Sequence, residues 1–150
     1  MAGEDLNQKL NELISSLQKK GILDDYFDQV KGLQDEKSPQ FVKNTITTYL
    51  CGAEDTIAEL TETLSELAVN YQRVNYLADK LKGSSMCVGG SQMADVCAEL
   101  CDASEANHRE ACKELCGVVK REYSTLKDSL NKIVKLEQAI YDERTKETNE

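Results

Sequence analysis

The sequence predicts an all-α protein, an antiparallel up-down four-helix bundle with two additional N-terminal helices. Three observations carry this. Apolar residues recur at three- and four-residue spacing along nearly the whole chain, as on a helix face turned to a core. No stretch alternates apolar and polar residues as a half-buried strand would. The interruptions are short, and four long helices with short connections pack best as an antiparallel bundle.

Leu6, Leu10, Leu13, Ile14 and Leu17 place the first helix at about 4–20, with Gly21 to close it. Ile22, Leu23, Tyr26, Phe27 and Val30 predict a short second helix over about 22–31. The polar linker "GLQDEKSPQ" ends in a start signal, with Ser38 to cap and Pro39 at the first helical position. A long third helix, about 39–69, carries Phe41, Tyr49, Ala53, Ile57, Leu60, Leu64 and Leu67 as one stripe. Asn70 caps the fourth helix, about 71–87, which turns Val74, Leu77, Leu81 and Val88 inward. After the turn "VGGSQ", with Ser91 as cap, Val96, Cys97, Leu100, Cys101 and Ser104 line a fifth helix over about 91–104. A sixth, about 108–142, uses Cys112, Leu115, Val119, Leu126, Leu130, Ile133 and Ile140, and "DERTKETNE" is expected to fray. The two N-terminal helices are expected to cover one end of the bundle, all within a single domain of 150 residues.

The formal charge is −9, with one proline and no tryptophan. A chain this acidic repels phosphate backbones and anionic lipid, which argues against nucleic-acid or membrane-surface binding. "MAGEDLNQKL" lacks the basic and apolar regions of a signal peptide, and no apolar run approaches the ~20 residues that span a bilayer. The expectation is a soluble intracellular monomer without a cofactor or metal.

The stretch "ADKLKGSSMCVGG", residues 78–90, holds the candidate site. A helix turns about 100° per residue, so Asp79 lies about 200° from both Leu77 and Leu81 and faces solvent if those leucines are core. Lys82 lies about 60° from Asp79 and Gly83 about 40°. Asn75 and Met86 extend the stripe. Glycine in a helix interior costs about 1 kcal/mol relative to alanine, and packing inside the bundle cannot explain one on the exposed face. It makes sense where another molecule must come close. The plainer reading is an Asp–Lys pair at i,i+3, worth a few tenths of a kcal/mol, beside a glycine tolerated near a helix end.

"LADKLKGSSMCVGG" resembles the signature of the plant histidine-containing phosphotransfer (HPt) proteins, in which a helix carries His-x-x-Lys-Gly-Ser-Ser and then a Gly-containing turn. The likeness continues through "FVKNTITTYL", "ELTETLSEL", "VKREYSTLKDSL" and "KLEQAI" and covers nearly the whole chain. The resemblance implies an HPt-like bundle that docks receiver domains of hybrid histidine kinases and response regulators. It places Asn75, Asp79, Lys80, Lys82, Gly83, Ser84, Met86 and Gln92 at the receiver-docking surface. Lys82 would neutralise phosphate charge, Gly83 would make room for the receiver, and Ser84 would support the site.

One departure changes the chemistry. Asp79 stands where the family has its phosphoacceptor histidine, so no catalytic residue is expected and the chain resembles the pseudo-HPt proteins. These act against the cytokinin phosphorelay by occupying receivers unproductively, as negative regulators or decoys, in cytoplasm and nucleus. The family also often carries a basic residue where Gln92 stands. The chain's single histidine, His108, has Ala111 and Cys112 at +3 and +4 instead of lysine and glycine, and reads as a surface or capping residue. The alternatives are a competent phosphorelay mediator, or an engineered His-to-Asp variant of one.

Six cysteines include Cys97-x3-Cys101 and Cys112-x3-Cys116. That pattern also fits a twin CX3C disulfide chaperone, or four thiolates around zinc. A spacing of four is equally the core period of a helix, where cysteine packs as a small apolar residue, and buried free thiols are expected.

Overall fold

A computed structural model describes residues 2–148 of the backbone, with side chains over residues 5–146. It contains six helices: α1 Ala2–Lys19, α2 Tyr26–Gly32, α3 Phe41–Ser65, α4 Tyr71–Cys87, α5 Ser91–Glu105 and α6 Arg109–Thr148. Helices α3 to α6 form the antiparallel bundle, each packed on its neighbours in the order α3, α4, α5, α6 and back to α3. The expected all-α architecture is therefore the observed one. Its core is one continuous cluster that includes Ile46, Leu60, Leu77, Leu81, Leu100, Leu126 and Leu130.

The N-terminal helices do two different jobs. A 40-residue helix is about 60 Å long, so α6 overhangs the shorter members of the bundle. Helix α1 lies along α6, and the amide of Gln92 donates to the Lys20 carbonyl to hold its end at the start of α5. Helix α2 sits against α3 and α4. There the Asp24 N–H donates to Gly89 O at 2.8 Å. Gly89 has φ +73, and a Cβ there would come within 3.2 Å of Phe27, so both conformation and space require glycine. On the other side of α2, the carboxylate of buried Glu137 accepts from Lys31 at 2.6 Å and Gln34 at 2.9 Å.

Several boundaries depart from the sequence reading. Helix α2 begins at Tyr26, not Ile22, because Ile22 and Leu23 belong to the turn that closes α1 at Gly21 (φ +79). Helix α3 begins at Phe41, and Ser38 and Pro39 lie before it in a turn held by the Asp35 carboxylate. The first-turn N–H of Val42 is satisfied by the side chain of Gln34. The far end of α3 stops at Ser65, because Glu66 is extended (ψ 148) and the Arg109 guanidinium holds the Glu66 and Leu67 carbonyls. Leu67 thus leaves the core stripe and is 97% exposed. Gly90, not Ser91, is the N-cap of α5, whereas Asn70 caps α4 by accepting from Arg73 N. "DERTKETNE" does not fray over its described part: α6 runs on to Thr148, with Tyr141, Glu143 and Thr145 half-buried, and residues 149–150 lie outside the described chain.

Candidate functional site

Helix α4 turns Val74, Leu77, Ala78, Leu81 and Ser85 into the bundle. The opposite face is the one that the sequence singled out, and Asp79, Lys80 and Gly83 are exposed on it. A Cβ built on Gly83 meets nothing within 4 Å. Nothing among the described residues therefore requires glycine at that position. The Asp79–Lys82 ion pair expected from their spacing does not close; no salt bridge among the described residues involves either.

Below this surface lies a polar clamp between helices. Ser85 is fully buried and its hydroxyl shares a 2.8 Å hydrogen bond with Tyr49 of α3. Burial pushes the Tyr49 phenol up to about 12, with the Ser85 bond opposing part of the rise. The pair fixes the Lys82-Gly83-Ser84 turn of α4 against α3.

The docking candidates divide between two sides of α4. Lys82, Gly83 and Met86 border a crevice of about 610 Å³ with Asp24 and Tyr26 from the α2 end and Ala94 and Asp95 from α5. Lys80 and Ser84 instead line a groove of about 460 Å³ facing α3. Ser84 also donates to the Leu81 carbonyl. Asn75 is half-buried and its amide donates to Cys101 O and Ser104 Oγ, so it ties α4 to α5. Gln92 is exposed and spends its amide on Lys20. Met86 is 53% exposed, an apolar side chain held out beside Gly83.

Two exposed aromatics belong with this surface and were missed in the sequence. Tyr76 (61% exposed) lies three residues before Asp79 and seven before Gly83, on the same helical stripe. That spacing was a usable signal. Tyr26 (45% exposed) reaches the crevice only through the packing of α2 on α4, which no local pattern announces.

All six cysteines are free thiols. Cys97 and Cys101 face α4: the Cys101 thiol contacts Asn75 O at 3.8 Å, and Lys82 acts on both sulfurs. Burial raises the Cys97 thiol to about 12; it also raises Cys101, where the Asp79 charge adds to the effect and Lys82 opposes it. Cys116 instead packs near Thr61, Leu64 and Ser65 of α3. The two Cys-x3-Cys pairs thus serve different helix contacts. Of the four cysteines in these pairs Cys97, Cys112 and Cys116 are buried and Cys101 is half-buried, while Cys51 and Cys87, outside the pairs, are exposed. His108 is exposed at the α5–α6 turn, where its Nδ1 accepts from Ala111 N and caps α6.

The Hpt domain model matches residues 45–133, more than half of the chain. The chain belongs to the histidine-containing phosphotransfer family. This HPt chain is 31% identical over 140 residues to histidine-containing phosphotransfer protein 1 of Oryza sativa, covering 93% of this chain and 95% of that one. It is 34% identical over 134 residues to pseudo histidine-containing phosphotransfer protein 6 of Arabidopsis thaliana, covering 89% and 87%. A solved structure of a rice histidine-containing phosphotransfer protein superposes with a TM-score of 0.89 at 29% identity, covering 94% of the HPt chain and 99% of the other.

Proposed function

We propose that this chain is a pseudo-HPt protein that binds receiver domains of histidine kinases and response regulators without carrying phosphate, and so acts as a decoy or negative regulator in the cytokinin two-component phosphorelay. One observation carries the reading. The centre of the exposed α4 face holds a carboxylate, Asp79, beside a glycine with open space above it.

The chemistry of that residue supports a silent role. Imidazole is nucleophilic near neutral pH, and its phosphoramidate gives phosphate up readily. Phosphorylating Asp79 would mean breaking the acyl phosphate of a receiver to form another acyl phosphate. Among the described residues no group of three His, Cys, Asp or Glu side chains is placed to hold the cation that would help such a transfer. Asp79 carries one negative charge, against about two on a phosphoryl group. His108 offers no replacement, since its Nδ1 is engaged at the start of α6.

The rest of the surface suits a partner that binds and leaves. Lys82 is half-buried and makes no salt bridge among the described residues, which leaves it to meet a receiver's acidic pocket, and Met86, Tyr26 and Tyr76 supply apolar contact around it. Phosphorelay contacts must release, so a modest interface with micromolar affinity is expected. The working form is a monomer in cytoplasm and nucleus. Phosphoryl uptake from a phosphorylated receiver, measured side by side on the wild type and Asp79→His, tests the reading. The wild type should take up no stable label and Asp79→His should gain at least partial uptake. Acid-labile, base-stable label on the wild type would point to His108 and overturn it.

A further inference from the structure

The groove between α3 and α4 shares Lys80 and Ser84 with the expected docking surface, and it has the form of a ligand site. It is about 460 Å³, within the range of small-molecule sites. Its α3 wall runs from Phe41 to Thr56, about 22 Å of helix, so the space is long and narrow. The floor is buried and largely apolar: the Tyr49 ring, Ala53, the Thr56 methyl and Val88. It stays open because the facing positions are small, Gly52 on one helix and Ser84 on the other, and a Cβ on Gly52 would meet nothing within 4 Å. The buried hydroxyls are already satisfied, Thr56 by Gly52 O and Tyr49 by Ser85. The floor therefore asks for apolar contact and not for water.

Charge selects the occupant. Among the described residues Lys80 is the only charged one that lines the groove, and no salt bridge among them involves it. An unpaired ammonium at the rim of an apolar slot, in a chain of charge −9, marks the place for an anionic head. The Tyr49–Ser85 bond sets the antiparallel register, so Lys80 lies beside the Ala53–Thr56 end and Val88 toward Phe41. We propose that this groove binds a slender amphipathic monoanion of the medium-chain carboxylate type. Its head meets Lys80 and its tail runs over Ala53 and Tyr49 toward Phe41. Lys80 and Ser84 also belong to the expected docking surface and Lys80 adjoins Asp79, so an occupant would sit against the docking helix.

The probes are octanoate, decanoate and, as a neutral counterpart, 1-octanol, titrated into the full chain and followed by backbone amide shifts. Saturable shifts at Thr48, Gly52, Ala53 and Ser84 are expected, with decanoate binding more tightly than octanoate and octanoate more tightly than octanol. Lys80→Ala should weaken octanoate at least fivefold and leave octanol unchanged. Gly52→Leu fills the slot and should abolish binding of all three; if that variant does not fold, Thr48→Leu on the same wall makes the same test. As a second readout, saturating decanoate should slow alkylation of Cys87, which lines the groove, at least threefold. Cys51, exposed but outside the groove, should react as before. Absence of saturable shifts, shifts centred elsewhere, or equal binding of octanoate and octanol would overturn the proposal. So would unchanged octanoate binding by Lys80→Ala.

Discussion

Gly83 separates what the fold needs from what a partner needs. Because a Cβ at this position meets no atom within 4 Å, Gly83→Ala introduces no clash and recovers helix propensity of about 0.5–1 kcal/mol. For a chain of this size that corresponds to a rise in Tm of about 1–4 °C. Gly83→Trp should also fold, since the added side chain projects into solvent, but it occupies the space a receiver would use. Loss of about tenfold or more in receiver affinity, at least 1.4 kcal/mol, is expected for Trp. Thermal melts and calorimetric titration with a receiver domain give the two quantities on the same samples. Gly117→Ala on α6 is the control: its Cβ would meet only the flexible end of Arg121 at 3.9 Å, so stability should rise without effect on binding. A Gly83→Trp variant that folds and binds as well as the wild type would refute the assignment of this face.

Further expectations follow from the interior. Tyr49→Phe and Ser85→Ala should each destabilise by about 1–3 kcal/mol by stranding a buried hydroxyl. The double variant should lose clearly less than the sum in a denaturant cycle; strict additivity would show that the 2.8 Å bond contributes nothing. Denatured protein purified without reductant should titrate as six thiols and hold no stoichiometric zinc, whereas two thiols and two disulfides would revive the twin-hairpin reading. In the native state Cys51 and Cys87 should react first and Cys97 last. The same buried groups set an alkaline limit. Folded Cys97 and Tyr49 keep their protons to about pH 12, while the unfolded chain releases them from 9.0 and 10.0 upward. The folded state then binds more protons, so the contribution of these two groups is level below pH 9 and stability should fall between pH 9 and 12; melts unchanged from pH 9 to 11 would contradict this.

Features set by local chemistry were legible in the sequence. The helical periods, the closure at Gly21, the Asn70 cap and the open position of Gly83 each depend on residues within a turn or two of one another. What was not legible depends on distant partners. Gln34 caps α3 from outside it, and Arg109 takes the carbonyls that end the same helix 42 and 43 residues earlier. Leu67 kept the apolar period and still fell outside the core, because the backbone had already turned away. The tail of α6 is polar enough to read as frayed, yet it remains helical to Thr148, with Glu143 and Thr145 half-buried. At the candidate site, Asp79, Lys82, Gly83 and Met86 share the surface that helical arithmetic gave them, while Asn75 turned out to clamp α5. Tyr26 and the Tyr49–Ser85 floor needed the tertiary structure.

Occupation of receivers without entry into the relay has a direct kinetic signature. It is tested most directly by adding the wild-type protein, at increasing concentration, to phosphoryl transfer from an authentic HPt protein to a receiver domain. The transfer rate should fall as the concentration rises, no label should appear on this chain, and the inhibition should weaken with added salt and with Lys82→Glu. Label passing through this chain to the receiver, or transfer unaffected at concentrations well above the authentic protein, would contradict it.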